Sequence, residues 1–283
     1  MKLIGAATGL GAQDPASGKG ADFLFENAKE FNDLWTTIVR TGQTELNNNI
    51  PFADKVNYLF PFFNRLSMYT KRVLKDDFPV VIGGDHSCAI GTWRALLETS
   101  EKEVGLIWFD AHLDSHTTHT TPSYAIHGMP VACLLGFGDE KFIPKKTLLP
   151  ENLVIFGARS WESGERELLD FLNVRIYETE EIANRGLKIC YDEAMQIVSK
   201  PELDFGISLD LDMFDPEIIQ GVCSKEKNGI MPNDFMKIFE ESKVLSYSNL
   251  RAMEIVEFAP DRDVNLETYL LVKQIVSMIR ENK

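Results

Sequence analysis

Short apolar runs of strand type recur near residues 3–7, 36–40, 79–83, 104–110, 152–157, 174–178, 204–210 and 250–257. Between most of them the apolar positions fall three or four apart, as in 54–75, 87–98, 162–172, 233–244 and 264–280, which predicts amphipathic helices. Strand alternating with helix predicts an α/β domain built on a parallel sheet. Val80-Val81-Ile82 and Leu153-Val154-Ile155-Phe156 are apolar at successive positions, as expected of strands covered by helices on both faces. No Pro/Ser-rich linker, repeat or low-complexity tract divides the chain, so residues 1–283 are expected to form one domain. This strand count also suits a closed (β/α)₈ barrel, and periodicity alone does not separate the two. In either architecture the site belongs at the carboxyl ends of the strands.

Three of the apolar runs end in side chains suited to metal. Val80-Val81-Ile82 leads into Gly83-Gly84-Asp85-His86; Leu106-Ile107-Trp108-Phe109 into Asp110-Ala111-His112-Leu113-Asp114; Ile207-Ser208-Leu209 into Asp210-Leu211-Asp212. If the backbone stays extended past Phe109, residues two apart point the same way, and Asp110, His112 and Asp114 enter one pocket. All five histidines (His86, His112, His116, His119, His127) lie between 86 and 127, which concentrates the chemistry there. Taken singly, each histidine is more often a satisfied polar residue, and each aspartate a turn cap. As a set, four carboxylates at apolar strand ends would repel one another without a cation. Oxygen-rich ligation with two imidazoles and no cysteine suits Mn²⁺ better than structural Zn²⁺ or Fe–S. The carboxylates exceed the needs of one ion, so two ions about 3.5–4 Å apart sharing a hydrolytic water are expected.

Composition narrows the partners. A net charge of −14 argues against nucleic acid or an anionic membrane surface and is compatible with a cationic substrate. No run approaches the ~18 apolar residues of a membrane span. The apolar start, Met1-Lys2-Leu3-Ile4-Gly5-Ala6-Ala7, reads as a first strand rather than a leader. Cys88, Cys133, Cys190 and Cys223 are widely spaced without a CxxC pair, as expected of reduced thiols in the cytoplasm. Gly18-Lys19-Gly20 lacks the Ser/Thr and the upstream glycine of a phosphate-binding loop. The stretches 113–126 and 213–233 read as long loops, often active-site walls.

These residues resemble the ureohydrolases, the family of arginase, agmatinase and formimidoylglutamase. The three segments Gly83-Gly84-Asp85-His86-Ser87, Asp110-Ala111-His112-Leu113-Asp114 and Ser208-Leu209-Asp210-Leu211-Asp212-Met213-Phe214-Asp215-Pro216 are similar to its three signatures. His127-Gly128-Met129-Pro130 and Glu254-Ile255-Val256-Glu257-Phe258 match two further blocks in order. The resemblance spans nearly the whole chain and implies a three-layer sandwich with an open, mainly parallel eight-stranded sheet. It implies two Mn²⁺, one held by His86, Asp110, Asp114 and Asp210, the other by Asp110, His112, Asp210 and Asp212. It further implies a hydroxide attacking a guanidinium carbon, Asp114 relaying its proton, His127 as proton shuttle and Glu257 pairing with the substrate. Without the resemblance, His127 reads as a helix-start histidine and Glu257 as a surface acid at a strand end.

Arginine itself, giving ornithine and urea, is the expected substrate; agmatine, another guanidino acid or formimidoylglutamate are its rivals. Counted back from His127, Ser123 matches the arginase serine for the α-carboxylate, while His116 stands where an asparagine is usual and can still donate. Glu162 falls at the acid for the α-amino group, and Glu165 also matches. The 220–231 loop departs from the family's Gly/Thr/Pro-rich version, and His119 is assigned to solvent. Self-association into a homo-oligomer is implied by the resemblance alone. Two other classes compete: a non-catalytic regulatory relative, and a dinuclear phosphoesterase, for which only Arg159 is a candidate phosphate ligand.

Overall fold

A computed structural model describes residues 1–41 and 50–283. The eight strands fall where the apolar runs placed them: β1 (Lys2–Ala7), β2 (Trp35–Arg40), β3 (Pro79–Gly83), β4 (Glu103–Phe109), β5 (Leu153–Ala158), β6 (Arg175–Glu178), β7 (Leu203–Asp210) and β8 (Leu250–Val256). They pair in the order β2-β1-β3-β8-β7-β4-β5-β6, every pair parallel. The sheet is therefore open, and the barrel is excluded. All strands run one way, so all their carboxyl ends share one edge.

Side chains alternate between two cores, as a period of two requires. Ile107 and Phe109 pack on one face with α1 (Gly20–Asn27), α7 (Leu187–Val198), α8 (Pro232–Glu241) and α9 (Glu267–Asn282). Leu106 and Trp108 pack on the other, with α3 (Ala89–Thr99) and α4 (Pro130–Leu134). On that second face, α2 (Phe52–Asp76) covers Ile4, Ala6 and Val81. The expected helices 162–172 and 264–280 shorten to α5 (Ser163–Phe171) and α9. Helices α1, α4, α6 (Thr179–Arg185) and α7 were not singled out by spacing. Three of the four are eight residues or fewer, too short for a periodic stripe to stand out.

The strand order carries the functional consequence. β3, β8, β7 and β4 are neighbours in space although they are drawn from opposite ends of the chain. Register places Phe109 beside Leu209 and Asp210 beside Val256, so Asp110, Asp210 and Glu257 leave the sheet at one level.

Candidate metal centre and active site

The ligand runs do not stay extended, which corrects the period-two expectation. β4 ends at Phe109, and the Asp110 carboxylate then accepts from the His112 backbone N–H at 2.7 Å, turning the chain. Asp210 does the same to the Asp212 N–H at 2.9 Å and starts a short 3-10 turn, Leu211–Met213. Asp85 caps the turn His86–Cys88 in the same way, through the Ser87 N–H. Three Asx turns, rather than three straight strand ends, bring the side chains together. Asp114 and Glu257 complete the convergence with left-handed backbone, at φ 48° and 63°. Such a conformation costs a non-glycine residue about 1–3 kcal/mol, a cost tolerated where geometry is functional. Glu257 is held there by its own N–H, which donates to Gly84 O at 2.8 Å. Gly84 cannot carry a side chain, because a Cβ would fall 1.9 Å from Thr8 O.

The result is two overlapping donor sets. His86 Nδ1 lies 3.1 Å from Asp110 Oδ2, 3.1 Å from Asp114 Oδ2 and 3.0 Å from Asp210 Oδ2. His112 Nδ1 lies 3.3 Å from Asp110 Oδ1 and 3.1 Å from Asp212 Oδ2. Asp110 offers one oxygen to each set. His86 Nδ1 and Asp114 Oδ2 are buried without a hydrogen-bond partner, although carboxylates crowd around the imidazole. Lone pairs that converge without bonding one another fit a divalent cation, and His86–Asp110–Asp114 and Asp110–His112–Asp212 each have metal-binding geometry. Asp210 joins the first set through His86, while its other oxygen holds the Asp212 N–H.

Outer contacts hold these ligands in place. His86 Nε2 donates to Ser208 Oγ at 2.9 Å, and Ser208 donates to Glu254 Oε1 at 2.7 Å. That chain protonates Nε2 and frees the Nδ1 lone pair for a cation; without one, against the cost of burial, Asp110, Asp114 and Asp210 hold a proton on the ring and raise His86 well above its ordinary value. Trp93 Nε1 also donates to Glu254, its indole fitting over Gly206, where any Cβ would meet it at 2.0 Å. Trp108 stacks on the His86 ring, centroids 4.0 Å apart, and donates from Nε1 to Asp110 Oδ2 at 2.9 Å. None of Trp108, Ser208 and Glu254 was singled out from the sequence. The signal was there for each: Trp108 and Ser208 sit two residues before Asp110 and Asp210 on the same side of their strands, and Glu254 is a charge flanked on both sides by apolar residues, Met253 and Ile255.

Every candidate side chain except Asp110 lines one cavity of about 170 Å³: His86, His112, Asp114, Asp210 and Asp212 on the floor, and His116, Ser123, His127, Glu162 and Glu257 on the walls. Its size suits a single small molecule. His127 Nδ1 stands 3.4 Å from Glu257 Oε1, and that oxygen also accepts from the His86 N–H at 2.8 Å. His116 departs from the expectation that it stands free to donate. Its Nδ1 faces Thr120 Oγ1 at 3.1 Å and its Nε2 is bonded to Glu162. Glu165 is structural, accepting from the Glu162 and Ser115 N–H groups in the capping box of α5. Arg159 is turned away from the cavity, its guanidinium donating to the carbonyls of Asp212, Met213, Glu226 and Lys227, which leaves a phosphate without its candidate ligand. The atypical 220–231 loop is thereby tied to the Asp212 turn, and Glu226 Oε1 lies 3.8 Å from His112 Nε2. His119 is exposed, as expected.

Charge in this cluster is poorly balanced without a cation. Burial, then the Asp110 charge, pushes the Asp114 carboxyl up to about 7, and burial with Asp212 and Asp110 pushes Asp210 well above its ordinary range. Burial opposes charge on His127, but the Glu257 carboxylate outweighs it and raises the imidazole to about 9. The folded chain thus holds these protons more tightly than the unfolded one. Stability of the metal-free chain should fall as pH rises from 3.8 to about 7 through Asp114, and from 6.5 to about 9 through His127. Chelator-treated protein is expected to melt lower at about pH 8 than at about pH 5.5, with added Mn²⁺ removing the difference. A metal-free melting temperature that climbs over this interval would contradict the assignment.

Fold and site together define an open-sheet α/β protein with side-chain groups that could hold metal at the carboxyl edge of its sheet. The Arginase family model matches residues 2–280. Arginase from Bacillus subtilis (strain 168) is 34% identical over 213 residues, covering 71% of this chain and 71% of its own. Arginase from Brevibacillus brevis is 42% identical over 159 residues, 54% of this chain and 52% of its own. The crystal structure of Bacillus caldovelox arginase superposes with a TM-score of 0.87 at 26% identity, covering 98% of this chain and 97% of that one. The chain belongs to the arginase family.

Proposed function

We propose that this chain hydrolyses the guanidinium of L-arginine to L-ornithine and urea, using two Mn²⁺. The observation that carries the proposal is the pair of donor sets that share Asp110 and whose other members line a small cavity with further carboxylates. His86, Asp110, Asp114 and Asp210 would hold one ion, and Asp110, His112, Asp210 and Asp212 the other. Bound there, the ions supply Lewis-acid activation of a water and offset the repulsion among the aspartates. Glu257, buried and anionic beside His127, orients the guanidinium by charge-assisted hydrogen bonds. Asp114 accepts the proton of the attacking water and delivers it to the leaving amine. His127, partly exposed at the cavity wall, exchanges protons with solvent. Ser123 and His116 face the α-carboxylate, and Glu162 the α-ammonium.

One observation favours a second substrate, agmatine: His116 and Glu162 bond to each other, so an amino-acid head group must break that pair to be bound. Urea release from the Mn²⁺-loaded protein with arginine, agmatine and other guanidino compounds, and product release from formimidoylglutamate, discriminates. Preference for arginine supports the proposal, and preference for agmatine moves it to the second reading. His127→Asn is expected to lower turnover by about 100-fold or more, as loss of a proton-transfer group does, with metal content unchanged. Loss of metal on that change would place His127 among the ligands instead.

The whole chain is proposed to act as one catalytic domain, a reading supported by the continuous sheet and the match over residues 2–280. Among the described residues no helix is long and apolar enough to cross a membrane. The four unbridged cysteines support a reducing compartment, the cytoplasm. Self-association is checked by sedimentation.

A further inference from the structure

A second, larger cleft lies apart from the cavity just described. It has a volume of about 1260 Å³ and shares no lining residue with the metal-binding cavity. It opens at the opposite, amino-terminal edge of the sheet: Lys102 precedes β4, Asp204 is the second residue of β7, and Asn249 precedes β8. In a chain with 29 basic and 43 acidic residues, its walls carry eight of the former and three of the latter. Several of those cations are uncommitted. Lys71 is paired with Glu98 and Lys102 holds Pro201 O, but Lys75, Lys145 and Arg251 make no side-chain ion pair among the described residues. A local excess of this kind, on a protein whose field is negative elsewhere, concentrates anions.

A second, independent observation comes from below the rim. Seven buried side-chain atoms among the described residues lack a hydrogen-bond partner. Three of them, on His86, Asp114 and Glu254, belong to the metal-binding cluster and its support; two more, Ser67 Oγ and Arg94 Nε, belong to residues lining this cleft. Arg94 is only 6% exposed, and its two terminal nitrogens are engaged by Asn64 Oδ1, Lys141 O and Phe142 O. Its Nε–H is left as a donor without an acceptor. A buried donor left unmatched costs about 1–3 kcal/mol, which an acceptor entering from the cleft recovers once the atoms covering the donor give way. Phe60, Met68 and Ile143 add apolar wall to the same cleft.

We propose that this cleft is a binding site for a small organic anion, a carboxylate or phosphomonoester attached to an apolar body. Its oxygens meet the Lys75 and Arg251 charges at the rim and accept from Ser67 and Arg94 as the atoms covering those donors give way, while the body lies against Phe60 and Met68. The site is separate from the metal-binding cavity and is filled independently of it.

The probe is phenyl phosphate, titrated calorimetrically into the Mn²⁺-loaded full chain, with inorganic phosphate and benzoate in parallel arms. The phosphate arm shows whether the apolar body contributes, and the benzoate arm shows whether a carboxylate suffices. Binding in the millimolar range or tighter is expected, weakening with salt and unaffected by arginine. Ser67→Ala, and separately the double change Lys75→Gln with Arg251→Gln, should each weaken it by about tenfold, the scale of one charge-assisted hydrogen bond. Neither change touches the metal-binding cavity, so both variants should release urea at the parent rate, which also reports on folding. The proposal is overturned by absence of binding up to roughly 10 mM, by binding that both variants leave unchanged, or by competition with arginine. It is equally overturned if the rim variants abolish self-association while the parent shows no phenyl phosphate heat, because a second copy then covers the cleft.

Discussion

Asp110→Asn is expected to remove bound metal and turnover together. Among the described residues, Asp110 is the one carboxylate whose two oxygens face both imidazoles, Oδ2 toward His86 Nδ1 and Oδ1 toward His112 Nδ1. Trp108 Nε1 and the His112 N–H hold those oxygens in place, so an amide there must turn its NH₂ toward one donor set and lose an oxygen from it. Lewis-acid stabilisation amounts to several kcal/mol, so turnover should fall by about a thousandfold or more. Metal content by elemental analysis and urea release on the same sample check both parts. A variant that keeps its metal and most of its activity would show that the donor sets do not share this residue. The overlap of the two sets would then have no functional meaning.

Glu257→Gln should separate what Asp110→Asn couples. Metal should stay bound, because Glu257 belongs to neither donor set, while turnover on the guanidino substrate falls about 10–100-fold with the loss of one charge-assisted interaction. The amide oxygen can still accept from the His86 N–H, so the turn at His86–Cys88 should survive. A second readout comes from the neighbour. The Glu257 carboxylate is what raises His127 to about 9, so an NMR titration of the metal-free variant should find His127 back toward its ordinary value. If turnover is unchanged, or if metal is lost with the side chain's charge, Glu257 is not the guanidinium's partner.

Much of this was legible before any coordinates. Buried parallel strands need apolar residues at successive positions, and that demand shows in β3 and β5 directly. The ligand types also announced themselves, because aspartate and histidine directly after an apolar run have few structural uses in common. The local path between them did not. Whether Asp110, His112 and Asp114 align by extension or by a turn depends on where β4 loses its partner strands, and the answer was a turn capped by Asp110 itself. His116 and Glu162 were read as two independent contacts to a substrate, but the fold places them against each other.

Residue chemistry along the chain was enough to establish the apolar strands, the donor types that follow them and the family to which they belong. Only the tertiary structure decided that β8 lies between β3 and β7, putting Glu257 and the Glu254 support beside ligands roughly half a chain away in sequence. The reason is that a strand's side-chain pattern reports which faces are covered and carries no record of its neighbour in the sheet. Pairing order is set by how all the crossover helices pack at once, and the unmatched donors of Ser67 and Arg94 likewise become visible only when the surrounding walls are in place.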